Sequence, residues 1–220
     1  MHIVLFGASG MIGQGVLREC LLAEDVSYVL SVCRRPSGQS HAKLREVVHG
    51  HFTDFSSIEN ELAGIDACFF CLGTTSAGMK EADYKRVTYD IPLAAAHALL
   101  KVNARLTFIY ISGAGADSSE KGRIMWARVK GAAENALLRL PFACVCAFRP
   151  AVVVPLHGIQ SRTAMYRVLY KVMGPVLPLL SRYAPKYTTA TERIGQAMLK
   201  IARTGVAPMP VLENADINQV

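Results

Sequence analysis

The chain opens with the stretch Met1-His-Ile-Val-Leu-Phe-Gly-Ala-Ser-Gly-Met-Ile-Gly13, in which an apolar run precedes three evenly spaced glycines. Residues 3–6 predict a buried β-strand that turns directly into a helix. Gly7 permits a sharp turn, Gly10 lets the backbone approach a phosphate, and Gly13 lets the helix pack closely on the strand. Because the first N–H groups of that helix point at a bound anion, the stretch predicts a binding site for the pyrophosphate of a dinucleotide.

Strand and helix patterns alternate along the rest of the chain. Apolar runs predict strands over residues 26–33, 44–51, 67–72, 106–112 and 143–148, with a short closing strand near Val211. Helical spacing predicts helices over residues 58–62, 84–102, 122–140 and 191–202, with a bend at Pro92. The alternation is typical of a doubly wound parallel sheet with helices on both faces. We therefore expect one α/β domain of the Rossmann type over residues 1–220, with a less regular substrate or lid region over residues 150–190.

The composition limits the classes of protein to which the chain can belong. Hydrophobic residues make up 51% and charged residues 19% of the 220 positions, which excludes a disordered chain. The first predicted strand begins so early that it leaves no room for a signal peptide, so we expect a cytoplasmic protein. Cys68 and Cys71 stand three apart on a predicted strand and face opposite sides, so they cannot share a metal or form a disulfide.

The net charge of +7 is concentrated in the second half of the chain. Residues 1–120 hold 10 Lys/Arg and 13 Asp/Glu, whereas residues 121–210 hold 14 Lys/Arg and 2 Asp/Glu. This asymmetry favours an anionic partner, such as a phosphorylated cofactor, an acidic substrate or a membrane surface, although a solvated basic face explains it equally well. Zinc-finger spacing, RNA-binding aromatic motifs and long basic helices are all missing, so we do not expect a nucleic-acid partner.

Four further motifs follow in an order typical of one family. They are Cys71-Leu-Gly-Thr-Thr75, Tyr110-Ile-Ser-Gly-Ala-Gly-Ala-Asp117, Val129-Lys-Gly-Ala-Ala-Glu134 and Phe148-Arg-Pro150. Together with the opening GxxGxxG spacing, they resemble the atypical short-chain dehydrogenase/reductases, above all the Tat-interactive-protein-like and epimerase/dehydratase-like branches. The resemblance runs over most of the chain. It implies that the protein binds NAD(P) and acts as an oxidoreductase or epimerase on a small molecule.

Arg34 and Arg35 follow the second strand, 21 and 22 residues after Gly13. An NAD-specific enzyme usually places an acidic residue there for the ribose 2′-hydroxyl, whereas guanidinium groups suit a 2′-phosphate by charge and by paired hydrogen bonds. We therefore expect NADP(H) to be preferred over NAD(H). The resemblance implies that Asp54 reads the adenine amino group, but an exposed loop aspartate that caps a helix at Ser56 fits the sequence nearly as well.

The expected cofactor site combines the glycine turn, the basic end of the second strand and the small residues that end the fourth strand. Its residues are Gly7, Ser9, Gly10, Met11, Ile12, Gly13, Arg34, Arg35, Asp54, Phe55, Cys71, Leu72, Gly73, Thr74 and Lys130. Small residues at the crevice outside the strand ends let the backbone meet the cofactor ribose. We expect no metal ion at this site.

The catalytic residues that the resemblance implies are only partly present. Family members carry Tyr-x-x-x-Lys on the helix after the fifth strand, and the lysine holds the nicotinamide ribose and lowers the pKa of the proton-exchanging tyrosine. A serine that ends the fifth strand orients the substrate oxygen. Ser112 and Lys130 match this pattern, but Trp126 stands at the tyrosine position, and an indole N–H is not an acid or base near neutral pH.

Three interpretations of the missing tyrosine stay open. Tyr84, Tyr89 or His157 could supply the proton, although a lone loop histidine is more often only solvated. The reaction could need no tyrosine, as when Ser112 and a bound water handle the proton. Alternatively, the protein could bind NADP(H) without turnover, as a regulatory or interaction protein. Trp126 then either stacks on the nicotinamide or substrate, or packs as an ordinary aromatic on the helix face.

The segment before the last helix carries an apolar run, residues 172–180, with basic side chains on both sides. It is too short for a membrane span and is interrupted by prolines. It could rest on an anionic membrane surface, but a lid over the substrate pocket or a homodimer contact fits it better. Thr191 is expected to cap the last helix. The inward face of that helix is expected to consist of Ile194, Ala197, Met198 and Ile201.

Overall fold

A parallel β-sheet forms the centre of the protein. The computed structural model describes residues 1–159 and 186–220. Their strands are β1 (His2–Phe6), β2 (Tyr28–Cys33), β3 (Leu44–Val48), β4 (Ala67–Phe70), β5 (Thr107–Ile111), β6 (Cys144–Arg149), β7 (Val152–Val154), β8 (Thr188–Ala190) and β9 (Val211–Glu213). Seven of them pair in the order β3-β2-β1-β4-β5-β6-β9, all in parallel, while β7 and β8 form a separate parallel pair. The predicted doubly wound α/β fold is confirmed.

Helices cover both faces of the sheet. They are α1 (Met11–Leu22), α2 (Glu81–Lys85), α3 (Ile91–Val102), α4 (Met125–Leu138), α5 (Thr191–Thr204) and α6 (Asn214–Gln219), with a 3₁₀ helix over Ser56–Leu62. Alternate residues of β1 enter opposite cores. Ile3 and Leu5 pack with α1 and α5, whereas Val4 and Phe6 pack with α3 and α4. This period of two along the four buried residues of β1 is the expected signature of a sheet covered on both sides.

The described part of the predicted irregular region consists of β7, β8 and the loop that follows β7. The apolar run at residues 172–180, for which a membrane, lid or dimer contact was predicted, lies outside the described residues. No helix within residues 1–159 and 186–220 has both the length and the apolar character needed to cross a membrane.

Two of the strands end two or three residues earlier than predicted. The prediction carried the third and fourth strands to residues 51 and 72, but β3 ends at Val48 and β4 at Phe70. Cys71 still donates its N–H to the Phe6 carbonyl at 2.9 Å, and the chain then lies against the glycine turn, where Leu72 contacts Gly7. The fourth strand therefore ends at the point where its neighbour β1 ends and the glycine turn begins.

The helix predicted over residues 84–102 is divided by a π turn, Arg86–Asp90, between α2 and α3. Pro92 stands in the first turn of α3 rather than in the middle of a helix, and it has no N–H to donate to the carbonyl of Thr88. The buried Tyr110 hydroxyl donates to that carbonyl at 3.1 Å. The irregularity at Pro92 is thus stabilised by a hydrogen bond from the neighbouring strand β5.

The last long helix, α5, packs against α1 at positions where both helices lack a side chain. A Cβ on Gly15 would lie 2.5 Å from the Cβ of Thr191, and a Cβ on Gly195 would lie 3.2 Å from the Cα of Val16. Thr191 is the first helical residue and Ala190 is the N-cap, so the predicted cap at Thr191 is wrong. Its hydroxyl is buried and accepts the N–H of Leu156 at 3.3 Å. The predicted inward face is confirmed, since all four of its side chains are buried.

Replacement of Gly15 by alanine tests this contact between α1 and α5. We expect Gly15→Ala to lower the free energy of unfolding by about 1–3 kcal/mol, because the clash outweighs the better helix propensity of alanine, about 1 kcal/mol. Gly50→Ala is the control, since a Cβ at Gly50 would have no atom within 4 Å. Urea denaturation followed by circular dichroism measures both variants. Equal stability of the two variants would contradict the close approach of the helices.

Candidate functional site

A cleft of about 960 Å³ opens at the carboxyl ends of the central strands. The loops after β1, β2, β4 and β5 line it, together with Lys130 of α4. Strand β1 lies between β2 and β4 in the sheet, and the strand order reverses at this point. Ligands bind in the crevice at such a reversal in doubly wound sheets. All residues predicted to contact the cofactor line the cleft except Gly13, Asp54 and Phe55, and Ser112 lines it as well.

The glycine turn has the shape of a phosphate cradle. Gly7 has φ +82°, and a Cβ there would lie 2.6 Å from the backbone nitrogen of Leu72, while a Cβ on Gly13 would lie 2.0 Å from the Gly7 carbonyl oxygen. At Gly10 a Cβ would meet nothing closer than 3.4 Å. Gly7 and Gly13 are therefore required by packing, whereas Gly10 leaves an open approach from the cleft. Gly10 is the N-cap of α1 and offers no capping side chain, so the first N–H groups of the helix are available to an anion.

The basic end of β2 forms one wall of the cleft. Arg34 and Arg35 line it and are exposed. Neither forms an ion pair with a residue that the structure describes, whereas five arginines elsewhere in the described chain do. Their charges are therefore not compensated by any ion pair within the described chain, at the position where a ribose 2′-phosphate would be read.

Asp54 and Phe55 lie beside the cleft rather than in its lining. Asp54 is exposed, and its Oδ1 accepts the N–H of Ser56 at 2.9 Å, a bond that holds the pKa of its carboxyl below the usual range. The ring of Phe55 is buried against Phe6 and His49. Phe55 is therefore not part of the cleft lining that the described residues form, and its contact with the cofactor stays a prediction. Its neighbour Phe52 is buried as well but lines the cleft together with Gly50, and the sequence alone did not distinguish the two rings.

Ser112 and Lys130 meet at the other end of the cleft. Lys130 donates from Nζ to the Ser112 carbonyl oxygen at 3.0 Å, and its Nζ lies 5.7 Å from the centre of the Tyr110 ring. Burial lowers the pKa of Lys130 to about 8, against a smaller effect of Glu134 in the opposite direction. The Ser112 hydroxyl is buried and has no hydrogen-bond partner within residues 1–159 and 186–220. Because Ser112 is a residue of the cleft lining, a ligand is one explanation for this unsatisfied hydroxyl.

A buried ion pair lies below Lys130. Glu134 is fully buried, and its two carboxylate oxygens accept from Nε and Nη2 of Arg149 at 3.0 and 2.5 Å. Arg149 also donates to Ser118 at 2.6 Å and to Glu213 at 3.0 Å. These bonds join α4 to β6, β9 and the loop after β5. In the sequence, Glu134 and Arg149 are recognisable only as parts of two motifs, because a pair 15 residues apart is not visible without the fold.

Trp126 stands one turn before Lys130 on α4 but does not line the cleft that the described residues form. The indole is half-buried and packs on Gly115, where a Cβ would lie 3.4 Å from its Cη2 atom. Gly115 has φ +86°. These contacts agree with the interpretation of Trp126 as an aromatic packed on the helix face, and its stacking on a nicotinamide or substrate stays a prediction.

The other proton donors that the sequence suggested lie outside the cleft lining. His157 pairs with Glu192, with 2.6 Å between Nε2 and Oε2, and this bond lowers the pKa of Glu192. Tyr84 is buried, and burial raises its pKa. The ring of Tyr89 lies 5.1 Å below the Nζ of Lys85. No group of three or more His, Cys, Asp and Glu side chains among the described residues could hold a metal ion.

Residues 7–137 match the sequence profile of the NAD(P)H-binding family. The chain belongs to this family. Over 225 residues it is 31% identical to protein FMP52, mitochondrial, of Eremothecium gossypii, which covers 99% of this chain and 96% of the relative. It is 26% identical over 231 residues to the FMP52 protein of Chaetomium globosum, covering 97% and 94% of the two chains. Because these relatives are named as mitochondrial proteins, the expected cytoplasmic location is contradicted.

Solved structures share the fold of this NAD(P)H-binding chain. Ligand-free aldohexose dehydrogenase of Thermoplasma acidophilum superposes with a TM-score of 0.70 at 12% identity, covering 100% of this chain and 94% of that one. The Bordetella bronchiseptica enzyme WbmF in complex with NAD⁺ superposes with a TM-score of 0.69 at 14% identity, covering 99% and 76%. These likenesses show a Rossmann-type fold, and together with the NAD(P)H-binding family they agree with the resemblance to atypical short-chain dehydrogenase/reductases. The residues of the cleft fit such a dinucleotide, since the glycine turn leaves an open cradle and the Ser112 hydroxyl has no partner among the residues that the structure describes.

Replacement of Arg149 by methionine tests the buried pair below Lys130. We expect Arg149→Met to lower the free energy of unfolding by about 3–5 kcal/mol, because it leaves the Glu134 carboxylate buried without its partner. Arg203→Met is the matched control. It removes a guanidinium that binds both oxygens of Asp25 at the surface and should cost about 1 kcal/mol or less. If guanidinium denaturation gives both variants the same stability, the Glu134–Arg149 pair is not the structural link described here.

Proposed function

We propose that this NAD(P)H-binding protein is an NADPH-dependent oxidoreductase that reduces the carbonyl group of a small molecule. The observation that carries the proposal is that an open glycine cradle and two arginines, which form no ion pair with a described residue, share one cleft with Ser112 and Lys130. The basic groups stand at one end, where they suit the phosphates of the cofactor. The polar groups stand at the other end, where a substrate oxygen would be held.

Different residues of the cleft would bind different parts of the cofactor. The N–H groups at the start of α1 would hold the pyrophosphate, and Arg34 and Arg35 would hold the 2′-phosphate through charge-assisted hydrogen bonds. Lys130 donates one of its N–H groups to the Ser112 carbonyl, and its other N–H groups would bind the nicotinamide ribose. When bound, the reduced nicotinamide supplies the hydride, and the protein supplies binding, orientation and a proton.

The hydroxyl of Ser112 has a separate task in this proposal. It is buried in the wall of the cleft and has no partner in the described part of the chain. A donor in that position can bind the oxygen of a substrate carbonyl and stabilise the charge that develops there when the carbon is reduced. Its position at the end of β5 supports this role, because the strand and its parallel neighbours hold it rigidly.

A second function, NADP(H) binding without turnover, is favoured by Trp126. The indole replaces the tyrosine that the resemblance leads one to expect, and it packs on Gly115 instead of entering the cleft. A regulatory protein of this kind would bind NADPH as tightly as an enzyme does. The regulatory protein would not oxidise NADPH in the presence of any carbonyl compound, whereas the reductase would. An assay of NADPH oxidation therefore distinguishes the two functions.

Removal of the two arginines tests the preference for NADPH. We expect Arg34→Ala/Arg35→Ala to raise the Kd for NADPH about 10- to 100-fold, since hydrogen bonds to charged groups contribute about 1.5–3 kcal/mol. The Kd for NADH should stay within about threefold, because NADH lacks the 2′-phosphate. Isothermal titration calorimetry measures both constants.

Arg45→Ala is the matched control for the double variant. Arg45 lies on β3, outside the cleft lining, and pairs with Glu61 at 2.7 Å, so its removal should change neither constant. The proposal is contradicted if the wild-type protein binds NADH as tightly as NADPH, or if the double variant loses affinity for both to the same extent.

A further inference from the structure

Few groups in the described lining of the cleft can exchange a proton with a substrate near neutral pH. The titratable ones are the thiols of Cys33 and Cys71, the guanidinium groups of Arg34 and Arg35 and the amine of Lys130. Burial raises the pKa of both thiols, so they hold their protons. Guanidinium groups stay charged at every physiological pH. Among these residues, only the amine of Lys130 can both give and take a proton.

The position of Lys130 suits such an exchange. Its Nζ donates one hydrogen bond to the carbonyl oxygen of Ser112 at 3.0 Å. This bond holds the amine beside a residue whose hydroxyl has no partner in residues 1–159 and 186–220. The other two N–H groups of the ammonium remain for groups in the cleft. Burial brings the pKa of Lys130 to about 8, and a proton donor is most effective when its pKa lies near the working pH.

The ionisable groups packed around Lys130 do not compete for this proton. Glu134, one turn further along α4, is bound through both oxygens by Arg149 of β6, so its charge favours the ammonium form but its oxygens are occupied. Tyr110 of β5 and Tyr84 of α2 are buried, and burial raises the pKa of each phenol.

The π turn that also packs on α4 carries two charged side chains, Arg86 and Asp90. Both are exposed to solvent. Arg128 of α4 itself is bound to Glu81 at 2.8 Å, at the outer surface. Glu134 is therefore the one charge among the described residues that acts on the Lys130 amine.

We propose that Lys130 itself donates the proton to the carbonyl oxygen of the substrate, in the role that a tyrosine would have at position 126. This assignment rests on the proposed NADPH-dependent reduction. The Ser112 hydroxyl binds the same oxygen and holds it beside the amine. Lys130 thus combines the binding of the ribose with general acid catalysis, and Trp126 serves only to pack α4 on the loop that contains Gly115.

The step balances without a further reactant. The carbonyl carbon of the substrate accepts hydride from the reduced nicotinamide, while the carbonyl oxygen takes a proton from the ammonium group of Lys130. The products are an alcohol, the oxidised dinucleotide and a neutral amine. The amine then recovers its proton from water in the open cleft. In the reverse direction, the neutral amine accepts the proton of the alcohol.

The test compares the wild-type protein with Lys130→Arg and with Lys101→Arg, a control at an exposed position on α3. Arginine keeps the positive charge and the N–H donors for the ribose but cannot release a proton near neutral pH. Calorimetry gives the Kd for NADPH. Spectrophotometry follows the oxidation of NADPH by 9,10-phenanthrenequinone and by a panel of aromatic aldehydes between pH 6 and 10. Lysine side-chain NMR titrates the amines of the wild-type protein with NADP⁺ bound and does not depend on any variant.

We expect Lys130→Arg to bind NADPH within about threefold of the wild-type Kd and to lose about 100-fold in kcat. Wild-type turnover should fall about tenfold per pH unit above the pKa of the amine, because the deprotonated form has no proton to give. Lys101→Arg should retain the wild-type profile. The NMR titration should show one amine with a pKa near 8.

The outcomes separate this assignment from the proposed function. If the wild-type protein does not bind NADPH, the proposed function fails and the role of Lys130 fails with it. If NADPH binds but Lys130→Arg turns over as fast as wild type, or no carbonyl in the panel is reduced, the role of Lys130 is overturned while the cofactor assignment stands. A lysine amine population that titrates entirely above pH 10 in the NADP⁺ complex overturns it as well.

Discussion

Close packing of the turn after β1 is the constraint on which the rest of the structure depends. Neither Gly7 nor Gly13 has room for a single additional carbon, because Leu72 and the Gly7 carbonyl occupy that space. The start of α1 is therefore held at one distance from β1 and β4. The cleft, the open face of Gly10 and the direction of the free N–H groups all follow from that distance. The same helix then sets the position of α5 through Gly15.

The end of the cleft that contains Ser112 and Lys130 depends on a similar close contact, in which the loop after β5 packs directly on the backbone of α4. A Cβ on Gly131 of α4 would lie 1.8 Å from the Asp117 carbonyl oxygen, so the loop after β5 can approach only where the helix is bare. Asp117 accepts the N–H groups of Ser119 and Gly122 and thereby keeps the loop in shape. This docking brings the Ser112 carbonyl to Lys130. The relative positions of Ser112 and Lys130 thus depend on Gly131, which does not itself line the cleft.

The sequence was sufficient for the fold, because apolar runs and helical spacing are strong signals in a sheet buried on both faces. It also located the glycine turn, the arginines after β2 and the pair of Ser112 and Lys130 in one cleft. It could not tell Phe55 from Phe52, since both are buried aromatic residues of the same loop and only tertiary packing decides which of them lines the cleft. Contacts across the fold, such as Thr191 against Gly15 or Glu134 with Arg149, have no local signature.

The contact between α1 and α5 has a consequence for the synthesis of the protein. Gly195 follows Gly15 after 180 residues, so the ribosome has made most of the chain before the partner of the first helix emerges. Until then the apolar face of α1 that holds Val16 and Cys20 stays uncovered. Such transiently exposed surface is what chaperones bind and what drives aggregation. A nascent chain interrupted before α5 would therefore carry the nucleotide-binding motif without the cover that keeps it soluble.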